Sequence, residues 1–167
     1  LKLDDITVSI IVPCKNEENN VKLVVNSLEK IGKKTEVLFG NDNSNDNTEG
    51  EIKKFIPKRK DIDIIYYEGP GICKAKNVYK GFEIAKGDVL VIHDADNTVD
   101  PSELKKIVKV LVEKNQNLVK GTRLIYPMEK KAMKFSNYLG NLFFSYFYSL
   151  ILQQNITDTL CGTKAIF

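Results

Sequence analysis

Residues 89–98 read VLVIHDADNT, an apolar run that leads directly into two aspartates two positions apart. A run that is short, β-branched and apolar on both faces is typical of a buried parallel strand. Similar runs occur before and after it, and together they predict five strands: Val8–Pro13, Glu36–Gly40, Ile62–Tyr67, Val89–His93 and Asn117–Gly121.

Longer amphipathic segments separate these runs. They predict four helices: Glu18–Ile31, Thr48–Phe55, Ile72–Ala85 and Pro101–Lys114. Strands and helices that alternate along a chain favour an α/β fold with an open, mostly parallel sheet and right-handed crossovers. Residues 1–167 contain no linker-like tract or repeat, so we expect one domain. The apolar stretch GTKAIF at residues 162–167 suggests that the natural chain continues.

The composition excludes several classes of protein. A hydrophobic content of 43% and a charged content of 28% are ordinary for a soluble globular domain, and a net charge of +3 gives no support for nucleic-acid binding. Three cysteines and one histidine without metal-ligand spacing argue against a zinc site. We expect reduced thiols and a cytoplasmic protein, and we predict no transmembrane helix within these residues.

The aromatic segment at residues 133–152, MKFSNYLGNLFFSYFYSLIL, has the length of a helix and is apolar around much of its circumference. Two interpretations remain open. The segment is either a long core helix that crosses the edge of the sheet or an amphipathic helix that lies at a membrane surface, where Tyr and Phe side chains are stable. The segment lacks a strongly cationic polar face, which counts against the second interpretation. Lys130 and Lys131 before the segment and Lys134 at its start partly offset this lack.

Polar side chains follow three of the predicted strands. The clusters are PCKNEE at residues 13–18, GNDNSNDNT at 40–48 and HDADNT at 93–98. Each cluster is compatible with local Asx turns. Because ligands of open parallel sheets bind beyond the carboxyl ends of the strands, we expect the three clusters to share a pocket.

Asp94 and Asp96 leave the fourth strand on the same side, because residues i and i+2 of a strand point the same way. Two neighbouring carboxylates repel each other and favour a hard divalent cation such as Mg²⁺ or Mn²⁺. The stretch DADNTV also fits DxDxTV, the first signature of haloacid-dehalogenase-like phosphatases. That family usually carries the motif on its first strand and completes the site with a later lysine and a second acidic pair. Here 93 residues precede Asp94, and no DD or GDxxxD cluster follows it.

Motifs along the whole chain resemble those of another family. VSIIVPCKNEENNV at 8–21, NDNSNDNT at 41–48 and GICKAKNVYKGFEIAKGDVLVIHDAD at 71–96 are similar to the ordered motifs of inverting family-2 glycosyltransferases. KGTR at 120–123 and DTLCGTKAIF at 158–167 continue the resemblance, in particular to the polyprenyl-phosphate sugar synthases such as dolichyl-phosphate mannosyltransferases. The resemblance implies a GT-A fold, a Rossmann-like open sheet flanked by helices, here with a C-terminal aromatic amphipathic helix.

The resemblance also implies roles for particular residues. The nucleotide would be held by Pro13, Glu17, Asp42, Asp94 and Ala95. Asp94 and Asp96 would coordinate Mg²⁺ or Mn²⁺ at the diphosphate, with Asn97 or Thr98 completing the shell and Lys74 or Lys76 assisting. Asp96, Arg123 and Asp158 would be catalytic, although a turn-capping role before TLCG stays open for Asp158. The acceptor would be bound by Arg123, Lys131, Lys134 and Ser136.

The function that follows is the inverting transfer of a sugar from a nucleotide-diphosphate sugar to an acceptor, with a polyprenyl phosphate as the expected acceptor. The protein would then be peripheral on the cytoplasmic face of a membrane. Two alternatives stay open at the level of the sequence. One is a phosphohydrolase that uses Asp94 as its nucleophile, and the other is a non-catalytic nucleotide-binding domain.

Overall fold

The computed structural model of the chain describes residues 2–96, 98–121, 135–153, 155–159 and 161–167. They form two compact units. The first consists of Leu1–Val119 with Thr163–Phe167, and the second of Lys120–Gly162.

A six-stranded sheet organises the first unit. Its strands are β1 (Thr7–Cys14), β2 (Lys34–Asn41), β3 (Asp63–Glu68), β4 (Val89–Ile92), β5 (Leu118–Lys120) and β6 (Lys164–Ile166). Their order across the sheet is β3-β2-β1-β4-β6-β5. The pairs β1–β2, β2–β3 and β1–β4 are parallel, whereas β4 and β6 are antiparallel. The prediction of an α/β fold with a mostly parallel sheet is confirmed.

Strand β6 was not predicted. It is only three residues long, and it pairs with β4 in an antiparallel register in which Ala165 lies opposite Val91. Both of these side chains are fully buried. A three-residue segment is too short for its periodicity to be distinguished from that of a loop, so its assignment depends on the neighbouring strand rather than on its own sequence.

Four helices belong to the first unit: α1 (Glu18–Ser27), α2 (Thr48–Phe55), α3 (Lys74–Ile84) and α4 (Glu103–Glu113). The predicted α1 is four residues too long. Residue Leu28 is extended rather than helical, yet Leu28 and Ile31 remain buried in the core. The apolar periodicity therefore continues past the end of the helix because it records burial, not helical conformation.

Helices cover both faces of the sheet, as the apolar strands require. Ile10 and Val12 of β1 belong to a buried cluster that also contains residues of α1 and α4. Ile11 points to the opposite face, where α3 packs against β1 and β2. This packing is close at Gly81, because a Cβ atom there would lie 2.7 Å from the Ile11 Cγ2 atom. The position of α3, and of the residues at its N-terminus, is therefore fixed by direct contact with the sheet.

The second unit contains helix α5 (Phe135–Leu152). Its polar residues Asn141 and Ser145 are buried. The five aromatic residues between positions 143 and 148 are exposed, and Phe143 and Tyr146 reach 64% and 67%. The helix is therefore amphipathic with an exposed aromatic face, rather than buried around its whole circumference in the described part of the chain. Among the described residues, no helix has the length and apolar character needed to cross a bilayer.

Candidate functional site

The carboxyl ends of β1, β2 and β4 open onto one cavity of about 170 Å³ in the first unit. These strands are neighbours and run parallel, so the loops that follow them meet at one edge of the sheet. The cavity is lined by Pro13, Cys14, Lys15, Glu17, Asp42, Lys74, Asn77, Asp94, Ala95 and Asp96. The expectation of a shared pocket is met, and it includes every described residue predicted to contact the nucleotide.

Asp42 is the most deeply buried carboxylate of this cavity, with 4% of its surface exposed. Its backbone N–H donates to the Cys14 carbonyl at 2.8 Å. Its Oδ1 atom accepts from the Gly71 N–H at 2.7 Å, and Gly71 has a φ of +71°, which favours glycine. Asp42 is therefore held by β1 and by the loop before α3 before any ligand arrives.

Other residues of the loop at 41–48 tie it to the loop after β1. Ser44 Oγ accepts from the Asn16 N–H at 2.9 Å, and Asn16 Oδ1 accepts from the Asn45 N–H at 2.7 Å. Thr48 Oγ1 accepts from the Glu17 N–H at 2.8 Å. The loops after β1 and β2 are thus tied by side-chain to backbone bonds. Both interpretations of this cluster apply, because Asp42 faces the cavity while its neighbours form local turns.

Asp46 belongs to the structural part of the loop. Burial alone would raise the pKa of the Asp46 carboxyl, but hydrogen bonds from Thr48 and from the Glu18 backbone N–H hold the pKa below its ordinary value. The carboxylate is stabilised in its charged form by donors that also link α1 to α2. Asp46 therefore acts as a clamp between two helix starts and does not line the cavity.

Asp94 and Asp96 are both less buried than Asp42. Asp94 Oδ1 accepts from Lys74 Nζ at 2.6 Å, and the Asp94 side chain keeps 20% of its surface exposed. Asp96 is exposed, and its Oδ1 atom accepts from the Thr98 N–H at 3.1 Å. Of the two lysines considered from the sequence, Lys74 lines the cavity and Lys76 does not.

The donor set limits what these carboxylates can bind. No group of three or more His, Cys, Asp or Glu side chains with the geometry of a metal site occurs in the part of the chain that the structure describes. Two oxygen ligands still fit Mg²⁺ or Mn²⁺, because such ions commonly take only one or two carboxylates and complete their shell with water and phosphate oxygens. The site therefore fits a cation that arrives with a phosphorylated ligand.

His93 lies between β4 and the aspartate pair with its side chain completely buried. Neither ring nitrogen has a hydrogen-bond partner among the described residues. Burial lowers the pKa of His93, although the carboxylates of Asp94, Asp96 and Asp100 act in the opposite direction. The imidazole is thus neutral near pH 7, and its position in the core excludes it as a cavity residue.

Cys14 occupies the position after Pro13 where the resembling enzymes often have an aromatic residue. Burial raises the pKa of the Cys14 thiol, and Glu17 and Asp46 raise it further. The side chain is therefore a neutral thiol in the cavity wall. Lys15 was predicted as part of the PCKNEE cluster. Asn77 lies in the helix motif that carries the resemblance, but its contact with the cavity was not predicted.

Asp158 belongs to the second unit and is completely buried. Its Oδ1 atom accepts from the Asn141 amide at 2.9 Å and from the Cys161 N–H at 3.1 Å. The Asn141 Oδ1 atom in turn accepts from the Thr159 N–H at 2.6 Å. Asp158 thus joins α5 to the segment that follows it.

The remaining predicted site residues are not covered. Asn97, Arg123, Lys131 and Lys134 lie outside the described residues, and for Ser136 only the helical backbone is described.

Comparison with known proteins identifies the relatives of this chain. The model of glycosyl transferase family 2 matches residues 9–167. A UDP-N-acetylglucosamine–dolichyl-phosphate N-acetylglucosaminyltransferase of Methanococcus voltae is 27% identical, over 96% of this chain and 69% of its own. Dolichol-phosphate mannosyltransferase of Saccharomyces cerevisiae is 34% identical, over 62% of this chain and 40% of its own.

Among solved structures, glucosyl-3-phosphoglycerate synthase from Mycobacterium tuberculosis, in complex with Mn²⁺, UDP and glucosyl-3-phosphoglycerate, superposes with a TM-score of 0.67 at 18% identity. The superposition covers 96% of this chain and 56% of that one. The fold is therefore that of the GT-A glycosyltransferases, as the resemblance implied. This chain spans little more than half of the synthase and less than half of the yeast enzyme.

Proposed function

Because the chain belongs to glycosyl transferase family 2, we propose that it transfers a sugar from a nucleotide-diphosphate sugar to a polyprenyl phosphate, with inversion at the anomeric carbon. One observation carries the proposal. Three carboxylates, Asp42, Asp94 and Asp96, reach one cavity from the ends of two different parallel strands, and only Asp42 is buried. A buried acceptor suits a nucleoside, and the two more exposed carboxylates suit a cation at a diphosphate.

The nucleoside end of the donor is assigned to the buried side of the cavity. Asp42 would accept a hydrogen bond from the base or the ribose, with Pro13 and Glu17 beside it. Asp94 and Ala95 would contact the ribose side of the diphosphate. A carboxylate that accepts from a neutral donor forms a stronger bond than a neutral acceptor does, so Asp42 can contribute strongly to affinity.

Asp94 and Asp96 would hold Mg²⁺ or Mn²⁺, and the chemistry of this donor set, hard oxygen atoms with room for phosphate, supports the assignment. A cation bound there would neutralise the negative charge that the leaving nucleoside diphosphate gains. The synthase from Mycobacterium tuberculosis, which shares the fold, was crystallised with Mn²⁺ and UDP, and this supports the same class of cofactor here.

In the proposed reaction, a phosphate oxygen of the acceptor attacks the anomeric carbon from the side opposite the diphosphate. The new carbon–oxygen bond forms as the bond to the diphosphate oxygen breaks, and its electron pair leaves with the nucleoside diphosphate. A phosphate acceptor is already ionised, so cationic groups that bind it matter more than a general base. We assign that binding to Arg123, Lys131 and Lys134, with Ser136. Asp158 is completely buried and bonded to Asn141 and the Cys161 N–H, so it is assigned to holding the segment after α5 rather than to contacting the acceptor.

The acceptor class rests on two supports. The relatives from Methanococcus voltae and yeast carry dolichyl or dolichol phosphate in their names. Helix α5 exposes aromatic side chains, such as Phe143 and Tyr146, of the kind that settle at a membrane interface. We therefore propose that the enzyme works as a peripheral protein on the cytoplasmic face of a membrane. The three free cysteines fit a reducing compartment.

A panel of UDP- and GDP-sugars, each incubated with Mn²⁺ and a short polyprenyl phosphate, tests the proposal. We expect one donor to give a lipid-linked sugar with inverted configuration, and we expect the Asp96→Asn variant to lose metal-dependent nucleotide binding while it stays folded. Nucleotide binding without transfer to any acceptor would favour the non-catalytic alternative. A phosphorylated Asp94 would favour the phosphohydrolase and overturn the proposal.

A further inference from the structure

Asp94, which is proposed to bind the divalent cation, already forms an ion pair with a lysine of the same chain. Lys74 Nζ lies 2.6 Å from Asp94 Oδ1, and Lys74 lines the same cavity as Asp94 and Asp96. The Lys74 side chain is 56% exposed, so the ammonium group can move without disturbing the core. A divalent cation on Asp94 would repel this ammonium group, because both are positive charges at one carboxylate.

Helix stability does not explain the presence of Lys74. It is the first residue of α3, and the first turn of α3 contains no acidic residue. A positive charge at a helix N-terminus is unfavourable, because the helix dipole places partial positive charge there. The N-cap residue Cys73 makes no side-chain capping bond either. A residue that opposes its local structure in a binding cavity is best explained by its ligand.

The diphosphate is the anion available to Lys74 once Asp94 is engaged. Lysine has a long flexible stem and a compact charge that binds phosphate readily. We propose that Lys74 changes partner when the site loads: it pairs with Asp94 in the empty site and with the donor diphosphate when Asp94 holds the divalent cation. This inference rests on the proposed function, since it takes the cation and the nucleotide from it.

The exchange has a thermodynamic consequence. In the empty site the cation must displace Lys74, and no group of three His, Cys, Asp or Glu side chains among the described residues is placed to hold a metal ion and compensate. In the loaded site the displaced lysine gains a phosphate contact. Binding of the cation and binding of the nucleotide therefore favour each other, and the coupling is reciprocal. Lys74 makes the site select the cation together with its diphosphate.

The Lys74→Met variant tests the exchange. Its binding of Mn²⁺ and of nucleotides is measured by calorimetry, and its binding of Mn²⁺ also by electron paramagnetic resonance. A partly exposed ion pair of this kind changes a dissociation constant by about fivefold. We expect Lys74→Met to bind Mn²⁺ alone about fivefold more tightly and to bind UDP or GDP at saturating Mn²⁺ about fivefold more weakly. The two shifts have opposite directions, which a simple loss of folding would not produce.

Lys15→Met is the matched control, because it removes the same charge from the lining of the same cavity and no ion pair of Lys15 with Asp94 occurs in the structure. We expect it to change Mn²⁺ binding much less than Lys74→Met does. In an Asp94→Asn background, the gain from Lys74→Met should disappear.

Two results would overturn the exchange: a Lys74→Met protein that binds Mn²⁺ alone no better than the wild type, or a gain that survives in the Asp94→Asn background. If the wild type itself binds no nucleotide with Mn²⁺, the proposed function fails as well. If it binds both and only the Lys74→Met shifts are missing, the exchange alone is refuted.

Discussion

Substituting Asp42 by asparagine should weaken the binding of the nucleoside part of the donor without disturbing the fold. Asparagine has the same shape and keeps an oxygen that can accept from the Gly71 N–H, so the loop before α3 retains its bond. The substitution removes the negative charge from a carboxylate that is 4% exposed. With the amide oxygen kept on the Gly71 N–H, the amide NH₂ takes the place of the carboxylate oxygen that faces the cavity, so the acceptor for the nucleoside is lost.

The expected size follows from the loss of one hydrogen bond to a charged acceptor. Such a bond contributes about 1.5–3 kcal/mol. Its loss corresponds to an affinity weaker by roughly tenfold or more. Because Asp42 is assigned to the nucleoside, the same factor should appear for a nucleoside monophosphate without metal and for a nucleoside diphosphate with Mn²⁺.

Calorimetric titration with UMP, GMP, UDP and GDP measures both cases. Asp96→Asn provides the contrast, since it should weaken only the diphosphate in the presence of Mn²⁺. Asp61→Asn removes the same charge from a residue that does not line the cavity, and it should change neither affinity. The assignment of Asp42 is refuted if Asp42→Asn binds all four nucleotides as the wild type does, or if it loses affinity only when Mn²⁺ is present.

Three further substitutions test how the fold supports the site. Thr48→Val removes the acceptor of the Glu17 N–H and should lower the free energy of unfolding by about 1–3 kcal/mol in a urea titration; an unchanged midpoint would show that the bond is unimportant. Asn141→Leu should accelerate amide exchange at Thr159, whose N–H loses its acceptor, and equal exchange rates would contradict this role. Gly81→Ala should cost about 1–3 kcal/mol because its methyl group would lie 2.7 Å from a side-chain atom of β1, and a variant as stable as the wild type would contradict the tight packing.

The strands could be predicted from the sequence because burial on both faces leaves an uninterrupted apolar run. Helix α2 was predicted with its observed bounds, Thr48–Phe55. The end of α1 could not be predicted, since Leu28 and Ile31 stay buried in an extended segment. Strand β6 could not be predicted either, because it is held by pairing with β4 rather than by its own pattern.

Part of the site could likewise be predicted from the sequence and part could not. The topology of a parallel sheet brings strand ends together, so the convergence of Asp42, Asp94 and Asp96 could be predicted from their positions after strands. The pairing of Lys74 with Asp94 could not, because it joins residues that are twenty positions apart in the chain and depends on how α3 packs on the sheet. A spacing pattern contains no information about such a contact.

The two ends of the cavity are prepared for their ligands to different degrees. At the nucleoside end, Asp42 is buried and bonded to Gly71, and the loops after β1 and β2 are tied by bonds such as that from Glu17 N–H to Thr48. At the cation end, Asp96 is exposed and Asp94 is engaged by a lysine. A preorganised group binds its ligand without the free-energy cost of being ordered, whereas a group already in an ion pair must first be released from it. Under the proposed function, the nucleoside end would therefore bind its ligand as it stands, and the cation end would become complete only when the diphosphate supplies ligands that the described residues do not provide.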